Sequence, residues 1–209
     1  MVQFNPMKIE SFTGGIFDTN CYLIEHQDQT ILIDAPQESA DWLTRNNKKV
    51  TLLLLTHGHI DHAWDAAQIK KEHGCKVGYH RDGIQMLTEP GFFKKIGFNW
   101  EMAPIQADLL IEETDSIILG GLDFKVLLVP GHCPGSLCFF SKKGRLLFGG
   151  DVLFAGGVGR WDLPGGDKDL LFSGIKNKVL PLGDDVQVLS GHGPGTFIGH
   201  ERRTNPYLN

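Results

Sequence analysis

Thr56-His57-Gly58-His59-Ile60-Asp61-His62 places three imidazoles and a carboxylate in one short turn, directly after the apolar run at residues 50–55. Packing such polar groups side by side is costly unless something satisfies all of them at once. A metal ion does so. Neutral imidazole with carboxylate suits zinc, iron or manganese, and a donor set without thiolate stays open to water, which favours catalysis over scaffolding.

Three further residues sit in comparable settings: His132 in Pro130-Gly131-His132, Asp151 in Gly149-Gly150-Asp151, and His192 in Gly191-His192-Gly193. Singly, each reads more readily as a structural histidine or a loop cap than as a ligand. Their placement changes that reading. His57, His132, Asp151 and His192 each follow an apolar run of strand character, and strand ends in layered α/β folds converge on one edge, where ligand sites form. Of the nine histidines this leaves His26, His73, His80 and His200, which read as surface or structural.

Outward from the motif, residues 21–25 and 30–34 read as a β-hairpin, 39–46 as a helix, and 50–55 as a strand covered on both faces. Residues 63–73 form the next helix, stopped by Gly74, with a strand at 76–79 and helical character at 81–88. Residues 89–108 contain Pro90, Gly91, Gly97 and Pro104 and read as an irregular excursion, a candidate lid over the site. Strands follow at 116–119, 123–129, 137–141, 145–148 and 186–189, with a helix at 168–179. Interspersed strands and helices of this kind make a layered α/β fold.

At 209 residues and 41% hydrophobic content, the chain is expected to form a single domain over residues 1–209. A net charge of −5 built from mixed charges, with no long basic run, gives no support to a nucleic-acid partner. No stretch reaches the length of a bilayer span, and residues 1–17 carry neither a basic leader nor a sustained apolar run, so the expected location is cytoplasmic, without a membrane partner. Cys21, Cys75, Cys133 and Cys138 fall in no CxxC pair and read as reduced, half-buried residues.

With all seven His and Asp positions in view, the chain resembles the metallo-β-lactamase-fold hydrolases, whose signature is His-x-His-x-Asp-His followed by a distant His, Asp and His. The resemblance spans nearly the whole chain. It implies an α/β fold of the four-layer αββα sandwich type, built from two similar halves with metals at one sheet edge. Gly149-Gly150-Asp151-Val152-Leu153-Phe154, the Gly159-Arg160-Trp161-Asp162-Leu163-Pro164 loop, and Gly191-His192-Gly193-Pro194-Gly195-Thr196 look like the short glyoxalase II-like (hydroxyacylglutathione hydrolase-like) branch. By that resemblance His57, His59 and His132 hold one metal, Asp61, His62 and His192 hold a second, and Asp151 bridges both. The chain ends at Asn209, so the helical C-terminal domain that binds glutathione in full-length glyoxalase II is not expected here.

The implied cofactors are two divalent metal ions, zinc first, with iron and manganese suiting the same donors. Such a pair can share a water and bring its pKa towards neutrality. The implied substrate is a small-molecule thioester, glutathione-linked as in S-lactoylglutathione. Asp61 is the expected catalytic residue, holding that water by a hydrogen bond. Arg160 is expected to bind a substrate carboxylate bidentately, with Trp161 lining the pocket and Arg202 a further contact. Asp34 would orient a ligand histidine or simply cap its strand, and Cys133, where the family more often has threonine, would pack as a small side chain. The competing reading is a persulfide dioxygenase with one iron on His57, His132 and Asp151; a lactonase or a non-catalytic metal-binding module comes after it.

Overall fold

Alternation within the apolar strands decides the layering. In the strand Thr19–His26, Cys21 and Leu23 face one way while Tyr22 and Ile24 face the other, and all four are buried. A strand buried on both faces must lie inside a multilayer structure. The computed structural model describes residues 7–209 except Pro90 and Gly120. Residues 1–6 of the leader reading, and Pro90 within the 89–108 excursion, lie outside the described residues.

In chain order, the first sheet comprises β1 (Lys8–Gly14), β2 (Thr19–His26), β3 (Gln29–Ile33), β4 (Leu52–Leu54), β5 (Lys76–Tyr79) and β6 (Leu109–Leu110). β1 to β3 run antiparallel, and β3 to β6 are mutually parallel. The second half supplies β7 (Ser116–Leu119), β8 (Leu122–Leu128), β9 (Leu137–Ser141) and β10 (Leu146–Gly150). A small ribbon follows, β11 (Leu153–Phe154) with β12 (Gly157–Val158), and then β13 (Gln187–Ser190) and β14 (Thr196–Phe197). The second sheet is ordered β14-β13-β10-β9-β8-β7, with β10 and β13 parallel.

Three apolar layers separate four layers of structure. Between the sheets, Ile24, Ile31 and Ile33 meet Phe124, Phe139 and Phe148. The outer face of the first sheet, through Leu23, Leu32 and Leu53, packs on α1 (Ser39–Arg45), α2 (Ile60–Ala63) and α3 (Ala66–His73). Behind them come α4 (Ile84–Thr88) and α5 (Phe92–Lys95). The outer face of the second sheet, through Phe140, Leu147 and Val188, packs on α6 (Lys168–Gly174) and α7 (Ile198–Thr204). This is the αββα sandwich. Among the described residues no helix is long and apolar enough to cross a membrane.

The expected helix at 63–73 is divided. α2 ends at Ala63, and the Asp65 carboxylate turns instead to accept the Ala40 N–H at 3.0 Å, while the Asp65 N–H donates to the Ala35 carbonyl, also at 3.0 Å. Tertiary bonds there replace helical continuation. Gly74, in the left-handed region at φ 63, stops α3 as expected. The 168–179 helix is α6 followed by a wider π turn over Ile175–Val179. The 89–108 excursion is irregular apart from α5, yet it is anchored: Phe93, Met102 and Ile105 are buried in the first-sheet core. The cysteines are buried rather than half-buried, and all four are free thiols.

Phe139 lies fully buried in the layer between the sheets. Replacing it with alanine should cost about 3–5 kcal/mol in urea unfolding, the usual range for an aromatic core truncation; a loss below about 1 kcal/mol would contradict this packing.

Candidate metal centre

β3, β4, β8, β10 and β13 deliver their C-terminal ends to one edge of the sandwich. His57 follows β4, His132 follows β8, Asp151 follows β10, and His192 follows β13. The halves are stitched there by the Tyr22 hydroxyl, which donates to the Ser190 carbonyl at 2.6 Å, and by the Asn20 N–H, which donates to the Gly191 carbonyl at 2.7 Å. The Leu137 N–H reaches the Thr56 carbonyl at 2.7 Å. Two of the glycines are required by close approach. A Cβ on Gly191 would meet Asp151 Oδ1 at 2.2 Å, and one on Gly131, which also holds φ +123, would meet the Leu171 backbone nitrogen at 2.3 Å.

All seven sequence-derived candidates come together. His57 Nε2 lies 3.1 Å from His59 Nδ1, and His59 Nδ1 lies 2.9 Å from His132 Nε2. On the other side, His62 Nε2 is 3.4 Å from His192 Nε2, 3.2 Å from Asp151 Oδ1 and 3.6 Å from Asp61 Oδ2. Asp151 Oδ2 spans the two groups, 3.5 Å from His132 Nε2 and 3.4 Å from His192 Nε2. Potential ligand atoms therefore cluster as His57, His59 and His132, as His57, His62 and Asp151, and as Asp61, His62 and His192.

Hydrogen bonds behind the cluster set which ring nitrogen faces it. His62 Nδ1 donates to Asp34 Oδ2 at 2.8 Å, His132 Nδ1 to the Arg160 carbonyl at 2.8 Å, and His192 Nδ1 to the Phe17 carbonyl at 2.9 Å. His57 Nδ1 reaches Thr56 Oγ1 at 3.1 Å, and that hydroxyl donates onward to Asp34 at 2.8 Å. With the proton on Nδ1, each of these rings turns its Nε2 lone pair inward. While those rings are neutral, acceptors face acceptors around the buried Asp151 carboxylate. A donor set of this kind fits divalent cations.

Electrostatics point the same way. Desolvation, with neighbouring His62, holds His57 well below the ordinary histidine range; desolvation and His132 bring His59 down to about 3, and burial lowers His132. This group is neutral and ready to coordinate. At the other end, burial opposes charge on His62 and His192, but Asp151 and Asp61 outweigh it, raising His62 well above its usual value and His192 to about 10. Asp61, pushed up by burial but pulled down further by His62 and His192, settles at about 2. Without a cation, protons on His62 and His192 balance the carboxylates.

The cluster forms the floor of a cavity of about 430 Å³. Its wall is largely apolar: Phe92, Ile96, Phe98 and Trp100 from the 89–108 excursion, with Phe17 and Met86. Sequence reasoning placed a lid there without identifying these side chains; the density of aromatics between Phe92 and Trp100 was the available signal. Thr19, whose hydroxyl donates to Asp61 Oδ2 at 2.9 Å, left no sequence signal at all.

The expected substrate contacts fare less well. Arg160 lines the cavity, but its guanidinium is bound bidentately by Asp162, both bonds 2.8 Å. Trp161 is not among the lining residues; its ring packs on Phe172 and Tyr207, because the loop turns it towards α6. Arg202 is also outside the cavity, tied by α7 to Asp184 at 2.9 Å and to the Leu180 carbonyl at 2.6 Å. Cys133 is buried against Met86, its thiol pushed up to about 12 by desolvation, so it packs rather than reacts. Among the remaining histidines His26 and His80 are buried, and His80 Nδ1 accepts the Asp82 N–H at 3.2 Å.

Comparison with known proteins agrees with this fold. The family model of the metallo-beta-lactamase superfamily matches residues 14–192, and the chain belongs to that superfamily. Among relatives, it is 37% identical to hydroxyacylglutathione hydrolase GloC of Haemophilus influenzae, over 97% of this chain and 99% of that protein. Among solved structures, it superposes on BLEG-1 B3 metallo-beta-lactamase with a TM-score of 0.88 at 34% identity, covering 96% of this chain and 99% of the other. It superposes on TTHA1623 in a di-iron-bound form with a TM-score of 0.84, also at 34% identity, covering 95% and 100%.

Two outcomes follow from the hydrogen bonds and charges. Asp34→Asn would present an N–H to His62 Nδ1 and move that ring's proton to the inward nitrogen, so metal affinity should fall about 10–100-fold with the fold retained; unchanged affinity in a chelator-competition titration would reject the orienting role. Because His62 and His192 carry raised pKa values, a cation entering beside them must displace protons. The weaker zinc equivalent should therefore bind more tightly at pH 8 than at pH 6, whereas a pH-independent isotherm would contradict the charge assignment.

Proposed function

We infer that the protein is a metal-dependent thioester hydrolase of the hydroxyacylglutathione hydrolase type, acting from a two-cation site. The observation that carries this reading is the buried Asp151 carboxylate with the inward nitrogens of His62, His132 and His192 at 3.2 to 3.5 Å, at the floor of an open cavity. Identity to hydroxyacylglutathione hydrolase GloC supports the choice of thioester. In this reading His57, His59 and His132 hold one cation, Asp61, His62 and His192 the other, and Asp151 serves both. Zinc is the first choice, with iron or manganese fitting the same donors.

When bound, the cation pair supplies an acidified water and polarises a carbonyl oxygen. The chain supplies the rest. Asp61, anionic at neutral pH and fixed by the Thr19 hydroxyl, accepts a hydrogen bond from the attacking water and sets its direction. The aromatic wall excludes bulk water around the acyl group. The departing thiolate needs no strong acid, since a thiol ionises near pH 8.5.

His59 argues against the one-iron persulfide dioxygenase alternative. Its Nδ1 lies 3.1 Å from His57 and 2.9 Å from His132, so His59 completes a three-histidine ligand group and would have no ligand role in a site held by His57, His132 and Asp151 alone. The four buried thiols, none in a disulfide, suit a reducing compartment, and we place the activity in the cytoplasm, in a single domain.

Purified zinc-loaded protein should cleave S-lactoylglutathione to lactate and glutathione, and chelation should abolish the activity. His59→Ala should lower turnover by about 100-fold or more, beyond the effect of losing an outer hydrogen bond. Oxygen uptake with glutathione persulfide and no thioester cleavage would overturn this function in favour of the dioxygenase.

A further inference from the structure

Three aromatic rings beside the candidate metal centre are neither buried in the core nor dispersed on the surface. Phe98 and Trp100 stack in parallel, with centroids 4.9 Å apart and planes 6° apart. Phe17 meets the Trp100 ring edge-on at 5.3 Å and remains 44% exposed. All three line the cavity that has His59, Asp61 and His192 at its floor. Rings held in mutual contact yet left open to a cavity retain apolar surface that a ligand can cover.

The excursion carrying two of these rings is positioned for that purpose rather than loosely draped. Phe93, Met102 and Ile105 fasten it into the first-sheet core, and the Ile105 N–H donates to the Leu87 carbonyl at 2.7 Å. Phe98 and Trp100 therefore face the cavity from a fixed base. The same segment offers no charge to a ligand: Lys94 pairs with Glu101 at 2.8 Å and Lys95 with Glu89 at 3.0 Å, and neither lines the cavity.

Charged recognition is weak elsewhere in the cavity as well. Arg160 is the one arginine or lysine among the described lining residues, and Asp162 occupies both arms of its fork. A peptide thiol bearing carboxylates would have to displace that carboxylate to gain a charge-assisted bond. An apolar ring would displace only water.

Resting on the thioester hydrolase reading, we propose that Phe17, Phe98 and Trp100 make this site selective for thioesters carrying an apolar, ring-sized group beside the scissile carbonyl. Hydrolysis adds water across the acyl–sulfur bond, giving the carboxylic acid and the free thiol, with no further reactant needed. Covering a phenyl-sized surface is worth about 30-fold in selectivity. The ring can sit on the acyl or on the thiol flank, and substrates can separate the two.

The test uses zinc-loaded full-length protein and uncharged substrates. Phenylacetyl and acetyl thioesters of N-acetylcysteamine place or omit a ring on the acyl side, and the thioacetates of benzyl mercaptan and of methanethiol do so on the thiol side. One of the two pairs should show a kcat/KM ratio of about 30 in favour of the ring, falling below about 5 in Trp100→Ala and in Phe98→Ala. Ratios below about 3 in both pairs, or ratios that neither variant changes, would overturn the proposal. Calorimetric binding of the matching thioethers, in which a methylene replaces the carbonyl, keeps this result separate from the function itself. If no thioester is cleaved, the hydrolase reading fails, and the ring-bearing thioether must still bind more tightly than its methyl counterpart, and less so in Trp100→Ala, for the cavity assignment to stand.

Discussion

The geometry of the site depends on one buried carboxylate. Asp34, at the end of β3, accepts the Thr56 N–H at 2.8 Å, the Thr56 hydroxyl at 2.8 Å and His62 Nδ1 at 2.8 Å. Those bonds fasten the histidine-rich turn to the neighbouring strand and, through Thr56, set the tautomer of His57. Asp34 holds φ 63 to do so, a left-handed conformation that aspartate tolerates better than most residues. The reading of Asp34 as an orienting group and the reading as a strand-end cap describe the same arrangement, because the cap that closes β3 is also what aims the imidazole.

From that anchor the other ligands follow by topology. β10 and β13 run parallel, so Asp151 and His192 leave the second sheet on the same side, and Gly191 lets them come within van der Waals reach of His62. Converging acceptors are unfavourable unless a positive charge lies between them, so either protons on His62 and His192 or bound cations must offset the cost of assembling them. Fold and site are in this sense one problem: the sandwich brings the ligands to its edge, and the cations relieve what the sandwich has brought together.

Much of this was legible in the sequence because the signals are local. The β2–β3 hairpin and β4 appear as apolar runs, and the His57 to His62 turn concentrates all its donors in six residues. What sequence reasoning missed is non-local. β1, with Glu10 and Ser11 adjacent and only Ile9 and Phe12 as large apolar residues, breaks the two-residue alternation of a half-buried strand and was not assigned as one. The helix break at Asp65 comes from a tertiary bond to Ala40. Trp161 and Arg202 were expected at the substrate, but the loop and α7 turn them towards other partners. Conversely, Phe17 and Trp100, more than eighty residues apart in sequence, meet over the cavity, a pairing that no local pattern announces.

The most direct test is an anomalous difference map from crystals of the zinc-loaded protein. The account requires two peaks, one among His57, His59 and His132 and one among Asp61, His62 and His192, with the Asp151 carboxylate between them. A single peak held by His57, His132 and Asp151 alone, or metal bound away from this edge of the sandwich, would contradict it.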